Sequence, residues 1–245
     1  EVEVVVGSDD HNIYCLRGSD GSLEWSYATR NFVKSSPAVA DVDGDGEVEV
    51  VVGSYDSTVY CLRGSDGSLE WSYATGSHVK SSPVVADVDG DGEMEVVVGS
   101  FDHNIYCLRG SDGSLEWSYA TGDVVKSSSA IADVDGDGEI EVVMGSYDYN
   151  VYCLSGSGAL EWNYASGSEA HTPGALADID GDGNLEFLVP SLTGNALRCL
   201  NAENGTLAWK IVLGYDVHSP FVGDVDGDGC VEIVVGTQKP DAQGY

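Results

Sequence analysis

The chain of 245 residues predicts an all-β fold of repeated four-stranded antiparallel sheets, a β-propeller, and three observations carry that reading. The pattern of the nine-residue stretch DVDGDGEVE at 41–49 returns at 87–95, 133–141, 178–186 and 224–232, with starts 46, 46, 45 and 46 residues apart. All five tryptophans, Trp25, Trp71, Trp117, Trp162 and Trp209, fall in one column of that repeat. Composition points the same way: 32 glycines, 13 tyrosines, valine-rich runs bounded by Gly, Asp and Ser, and no long window of 3.6-residue periodicity.

One unit, residues 36–76, shows the element order. PAVAD (37–41) is a short apolar run, EVEVVVG (47–53) a second one reached through the acidic loop, and TVYCLRG (58–64) a third. SLEWSYA (68–74) alternates strictly, with Leu69, Trp71 and Tyr73 on one face and Glu70 and Ser72 on the other. The first three therefore read as interior strands and the fourth as a half-exposed edge strand. Turn chemistry separates them in GSYDST, GSDGS and ATGSHVKSS. Four strands in about 46 residues is the length of a propeller blade, with one indole wedged between neighbours.

The repeat predicts one domain over 1–245 with five blade equivalents. Residues 1–34 form a first blade lacking its inner strand, 35–80, 81–126, 127–171 and 172–217 are full blades, and 218–245 holds a closing inner strand plus a surplus strand. A five-bladed ring closes if 220–224 supplies the strand missing from the first blade; the alternative is an arc of a seven- or eight-bladed ring.

A formal charge of −32 with only 10 Lys plus Arg excludes nucleic acid as an ordinary partner and makes cations the natural counterpart. Cys15, Cys61, Cys107, Cys153 and Cys199 recur at one repeat position, too far apart to bond, and read as buried free thiols; Cys230 stands outside the column. No membrane-spanning run and no signal peptide is visible. The chain starts in mid-repeat without Met, which leaves an upstream export signal open.

The acidic loops have the donor set of a calcium site, since that hard cation takes about six to eight oxygens. In the first loop Asp41, Asp43, Asp45 and Glu49 offer carboxylates, Glu47 a carbonyl, and Gly46 permits the sharp turn. The corresponding residues are Asp87, Asp89, Asp91, Glu93 and Glu95; then Asp133, Asp135, Asp137, Glu139 and Glu141; then Asp178, Asp180, Asp182, Asn184 and Glu186; and last Asp224, Asp226, Asp228, Cys230 and Glu232. About five Ca2+ ions, one per loop, are expected, each tying strand one to strand two; a solvated acidic hairpin is the alternative. Such an ion is structural rather than catalytic, because protein oxygens fill its shell.

SSPVVADVDGDGEMEVVVGS (81–100) resembles the FG-GAP or VCBS repeat of integrin-alpha-like propellers, whose calcium loop runs D-x-D-x-D-G-x-x-[DE]. VYCLRGSDGSLEW (59–71) is similar to the pyrroloquinoline-quinone-type propeller repeat. The first resemblance implies calcium binding and an extracellular, cell-surface or periplasmic adhesion or binding role within a larger protein. The second carries no quinone, because there is no adjacent Cys pair and no unassigned Trp.

The end of each blade opposite the metal loops is the candidate ligand face. Lys34, Lys80 and Lys126 stand just before strand one, with His171 in the fourth place, and Tyr55, Phe101 and Tyr147 tip the neighbouring turns. A cationic ring with an aromatic rim suits a protein or carbohydrate ligand; solvated loop tips are the plain alternative. Catalysis finds little support, with no serine elbow, no Cys–His pair and no zinc spacing. The sequence is thus read as a calcium-loaded propeller serving as an extracellular binding or adhesion module, with a polysaccharide-lyase-like enzyme or a purely structural spacer as alternatives.

Overall fold

The structure, a computed structural model, describes residues 2–170, 173–191 and 194–239. The described residues are all strand, turn and loop, and none forms a helix long and apolar enough to cross a membrane. The chain divides into two compact units, Glu1–Lys126 and Ser127–Tyr245.

The first unit holds three antiparallel sheets. Strands β1 (Glu3–Gly7), β2 (Asn12–Arg17) and β3 (Leu23–Ala28) form a three-stranded sheet. Strands β4 (Ala38–Ala40), β5 (Glu49–Gly53), β6 (Thr58–Arg63) and β7 (Leu69–Ala74) pair in sequence order, as do β8 (Val84–Ala86), β9 (Glu95–Gly99), β10 (Asn104–Arg109) and β11 (Leu115–Ala120). In the second unit the four-stranded sheets are β12 (Ala130–Ala132) to β15 (Leu160–Ala165), through β13 (Glu141–Gly145) and β14 (Asn150–Ser155), and β16 (Ala175–Ala177) to β19 (Leu207–Val212), through β17 (Glu186–Pro190) and β18 (Ala196–Asn201). β20 (Asp216–Gly223) and β21 (Glu232–Gln238) pair as a two-stranded sheet. Among the described residues the first sheet thus has three strands and the last has two.

Alternation builds the core. Strand β5 is buried throughout: Val50 and Val52 pack with Ile13, Trp25 and Leu62 toward the β1–β3 sheet, while Val51 packs with Trp71, Val96 and Leu108 toward the β8–β11 sheet. Second strands are therefore shared between two cores, which is why they are apolar on both faces. The first strand is shorter and more open than its apolar run suggests. β4 has only three residues and Val39 is 55% exposed. Fourth strands depart from the strict alternation expected: Trp71 is buried and Ser72 exposed, but Leu69, expected on the face of Trp71, is 46% exposed, because the pairing of β6 with β7 shifts register between Cys61 and Leu62.

The indole wedge has a specific seat. Trp25 Nε1 donates to Gly64 O at 2.7 Å and Trp71 Nε1 to Gly110 O at 2.6 Å, so each ring lies against the third turn of the next sheet. Trp162 does the same to Ala202 O at 2.9 Å in the second unit. Trp209 departs from this pattern: it is 37% exposed, since among the described residues β20–β21 has no third strand and no third turn to receive it. The turn glycines are shaped for the contact. Gly113 has φ +70°, and a Cβ there would lie 2.4 Å from Trp71 Cε3, whereas one on Gly21, at φ +71°, would meet nothing within 4 Å. Gly113→Ala is expected to cost about 2 kcal/mol more than Gly21→Ala in denaturant unfolding, because both pay for the left-handed backbone and only the first overpacks the indole. Equal costs would show that the ring is not tightly seated.

Candidate metal loops and the opposite face

Each acidic loop is folded by its own carboxylates. In the first, Asp41 accepts from the Gly44 and Gly46 N–H groups at 2.8 and 3.0 Å, Asp43 from Asp45 N–H at 3.0 Å, and Asp45 from Glu47 N–H at 2.7 Å. Gly44 and Gly46 take φ of 78° and 90°, which an L side chain resists. The ninth-position glutamate comes from beneath: Glu49, 1% exposed, accepts from Val42 N–H at 2.9 Å. The same bonds recur in the other four loops, ending in Val225 N–H to Glu232 at 2.9 Å.

This scaffold brings carboxylate oxygens together. Within 4.8 Å of one another lie ligand atoms of Asp41, Asp43 and Asp45; Asp87, Asp89 and Glu95; Asp133, Asp135 and Glu141; Asp178, Asp180 and Glu186; and Asp224, Asp226 and Glu232. The seventh-position side chains stand apart. Glu47 and Glu93 turn toward Arg63 and Arg109 at 4.0 and 3.8 Å, Asn184 donates to Asp182 at 2.9 Å, and Cys230 is exposed. Burial, followed by the negative charge of the loop aspartates, pushes Glu95 up to about 7; burial, then Glu161 and the loop aspartates, does the same to Glu141. Glu49 and Glu186 move in the same direction. A cluster of hard oxygens that resists holding its own charge fits a divalent oxygen-seeking cation.

The five cysteines of the repeat column are buried free thiols; burial raises the thiol pKa, to about 12 for Cys199, and keeps the thiolate out of reach at neutral pH.

The first unit also gathers the opposite face. The Tyr55 N–H donates to Phe32 O and the Phe101 N–H to His78 O, both at 2.9 Å, so each second turn is stitched to the loop of the preceding sheet. The rings follow. His11 meets Phe32 edge-on at 5.3 Å, Phe32 lies 6.2 Å from Tyr55, Tyr55 stacks on His78 at 5.0 Å and 5°, and Phe101 lies 6.0 and 5.8 Å from Tyr55 and His78. Lys34 Nζ stands 5.3 Å from the Phe32 centroid and 5.7 Å from that of Tyr55, and Lys126 Nζ 5.0 Å from Phe101. Lys34 also reaches Asp9 at 3.6 Å. Burial, then Lys126 and Lys34, pushes Lys80 below the ordinary lysine range, so the three ammonium groups feel one another. Lys34 and Lys80 line an open recess of about 830 Å³ with Ser35, Ser36 and Pro37.

Lys34, Lys80, Lys126, Tyr55 and Phe101 are thus brought together. Tyr147 belongs to the second unit, on the β13–β14 turn, and His171 lies outside the described residues. Sequence reading missed Phe32 and His78. Their signal was a column, Phe32, His78 and Val124, that varies while the following Val and Lys do not.

Comparison with known proteins follows the same outline. The FG-GAP-like repeat family matches residues 178–235. The crystal structure of the V. cholerae biofilm matrix protein Bap1 superposes with TM-score 0.68 at 24% identity, covering 87% of this chain and 36% of that one, so the chain spans about a third of Bap1. BamB from Moraxella catarrhalis gives TM-score 0.59 at 17% identity, with 95% and 76% covered. Saccharomyces cerevisiae Sqt1 gives 0.77 at 13%, with 95% and 66% covered. At these identities the likeness shows the fold, an all-β propeller. No curated protein matches in sequence. The lambda-carrageenase beta-propeller domain family matches residues 4–111 and 83–168, together more than half of the chain, and the chain belongs to that family.

Proposed function

We propose that the chain is a calcium-loaded binding module of a larger extracellular or cell-surface protein, and that its ligand is an anionic polysaccharide held on the lysine and aromatic face of the first unit. The observation that carries this reading is that three of the five lysines of a chain with net charge −32 converge beside stacked aromatic rings. Aromatic faces bind the apolar faces of sugar rings and ammonium groups bind their acidic substituents. Membership of a family named for lambda-carrageenase supports a polysaccharide over a protein ligand. The fold shared with Bap1 supports an exported setting, where millimolar calcium keeps such loops filled.

In each loop the first, third and fifth aspartates and the ninth glutamate hold the ion. Calcium supplies the positive charge that lets four acids share one short turn, and so fastens the first strand of a sheet to the second. It stands at the far end of the sheet from the lysines and is structural.

Affinity electrophoresis through gels containing lambda-carrageenan, with neutral dextran as comparison, tests the reading. Retardation by the polyanion alone, weakening steeply with salt, is expected. Equal mobility in both gels would refute it, and cleavage of the polysaccharide would replace the binding module by an enzyme.

A further inference from the structure

The lysine and aromatic face contains an acid of its own. One backbone bond sets each lysine beside the β1–β2, β5–β6 or β9–β10 turn: Val33 N–H donates to Ser8 O, Val79 N–H to Ser54 O and Val125 N–H to Ser100 O, each at 3.0 Å. The residue after that serine tips the turn, and the residue after that valine is the lysine. On the β9–β10 turn the tip is Phe101, with Lys126 Nζ 5.0 Å from its ring, and on the β5–β6 turn it is Tyr55. The β1–β2 turn has Asp9 in this place, 46 residues before Tyr55, and Asp9 Oδ1 lies 3.6 Å from Lys34 Nζ.

Asp9 is not the acid that closes its turn. Asp10 does that, accepting from the Tyr14 hydroxyl at 2.6 Å and from Asn12 N–H at 3.1 Å. The Asp9 side chain is 68% exposed and pairs with Lys34. Both residues line the open recess of about 830 Å³ together with Lys80, so the carboxylate stands on the wall of the space that an acidic substituent of a ligand would enter. Opposite charges this close cancel at any distance larger than their separation, so the pair offers an incoming anion little net attraction. The repeat position is aromatic for Lys80 and Lys126, which keep their charge for a ligand.

We propose that Asp9 is a built-in anion that caps Lys34, so that the face takes the acidic groups of its ligand on Lys80 and Lys126 and ends at the first repeat. This rests on the polysaccharide reading above for its ligand and adds which cations hold it.

Affinity electrophoresis in lambda-carrageenan gels, with calcium present and salt constant, tests the cap through a neutral replacement of the pair. D9N/K34Q removes both charges and is expected to bind within twofold of wild type, whereas K80A should weaken binding about tenfold. D9N alone, which releases Lys34, should bind about two- to fivefold more tightly, the range set by an exposed ion pair. A loss in D9N/K34Q as large as that of K80A, or no gain in D9N, would overturn the proposal. Reductive methylation read by peptide mass spectrometry follows Lys34 without any polysaccharide, and Lys34 should react several-fold faster in D9N than in wild type. If the gel does not retard wild type, the polysaccharide reading falls and the labelling decides alone: faster reaction in D9N supports the cap, and equal rates overturn it.

Discussion

Stripping calcium from the loops is expected to lower the melting temperature by more than about 20 °C. A ligand present at a hundred times its Kd stabilises the folded state by about 2.7 kcal/mol per site, and for a chain of this size each kcal/mol moves Tm by about 2–4 °C. Five loops with the same hydrogen-bonded scaffold multiply that effect. The metal-free protein should also respond to pH in a particular direction. Glu95 and Glu141 bind a proton more tightly in the fold, at about 7, than in the unfolded chain, near 4.5. Their contribution is fully present below about 4.5 and is lost as the pH rises through 7. With calcium bound the order reverses, because protons then compete with the ion for the same oxygens. Melting curves at pH 5, 6 and 7, with and without calcium, read both effects, and E95Q/E141Q should flatten the metal-free profile. A Tm unmoved by metal removal would leave the loops as ordinary acidic turns.

The second large effect lies on the opposite face. Replacing Lys34, Lys80 and Lys126 by alanine should weaken lambda-carrageenan binding by more than about a hundredfold. Each charge-assisted contact is worth about 1.5–3 kcal/mol when desolvated and less when exposed, and a factor of ten needs about 1.4 kcal/mol. Lys80, which burial already pushes below the ordinary lysine range, should contribute strongly. Tyr55→Ala should weaken binding about tenfold, because its ring bridges Phe32, His78 and Phe101 and its loss breaks the stacked row. Retained affinity in the triple variant, with calcium present and Tm unchanged, would move the ligand elsewhere.

Much of this was legible in the amino-acid order because local geometry repeats. The aspartates and glycines at 41–46 fold their own loop, so the motif and the structure coincide. The period of tryptophans and valines follows from sheets that each need the same wedge and the same two-faced second strand. What could not be read comes from positions whose meaning depends on a neighbour. The exposure of Trp209 reflects the absence, among the described residues, of a third turn in the sheet beyond it, and nothing in NALRCLNAENGTLAW says so. Phe32 and His78 differ in chemistry, and only their contacts with Tyr55 reveal a common role. Arg198 reads as one more drifted residue until its burial and its unpartnered Nη1 are known.

The two-faced second strand has a consequence for how such a chain changes length. A residue inserted within β5 would exchange the side chains offered to its two neighbouring cores, spoiling both at once. Growth and shrinkage are therefore confined to places where the chain reverses. The shorter fourth repeat obeys this rule: its missing residue falls in the turn after Ser155, and Cys153 still faces Trp162 as Cys61 faces Trp71. The fifth adds a residue in its second turn, and Cys199 still faces Trp209. Copying of whole repeats, with trimming only at the bends, is the route of variation that this architecture leaves open.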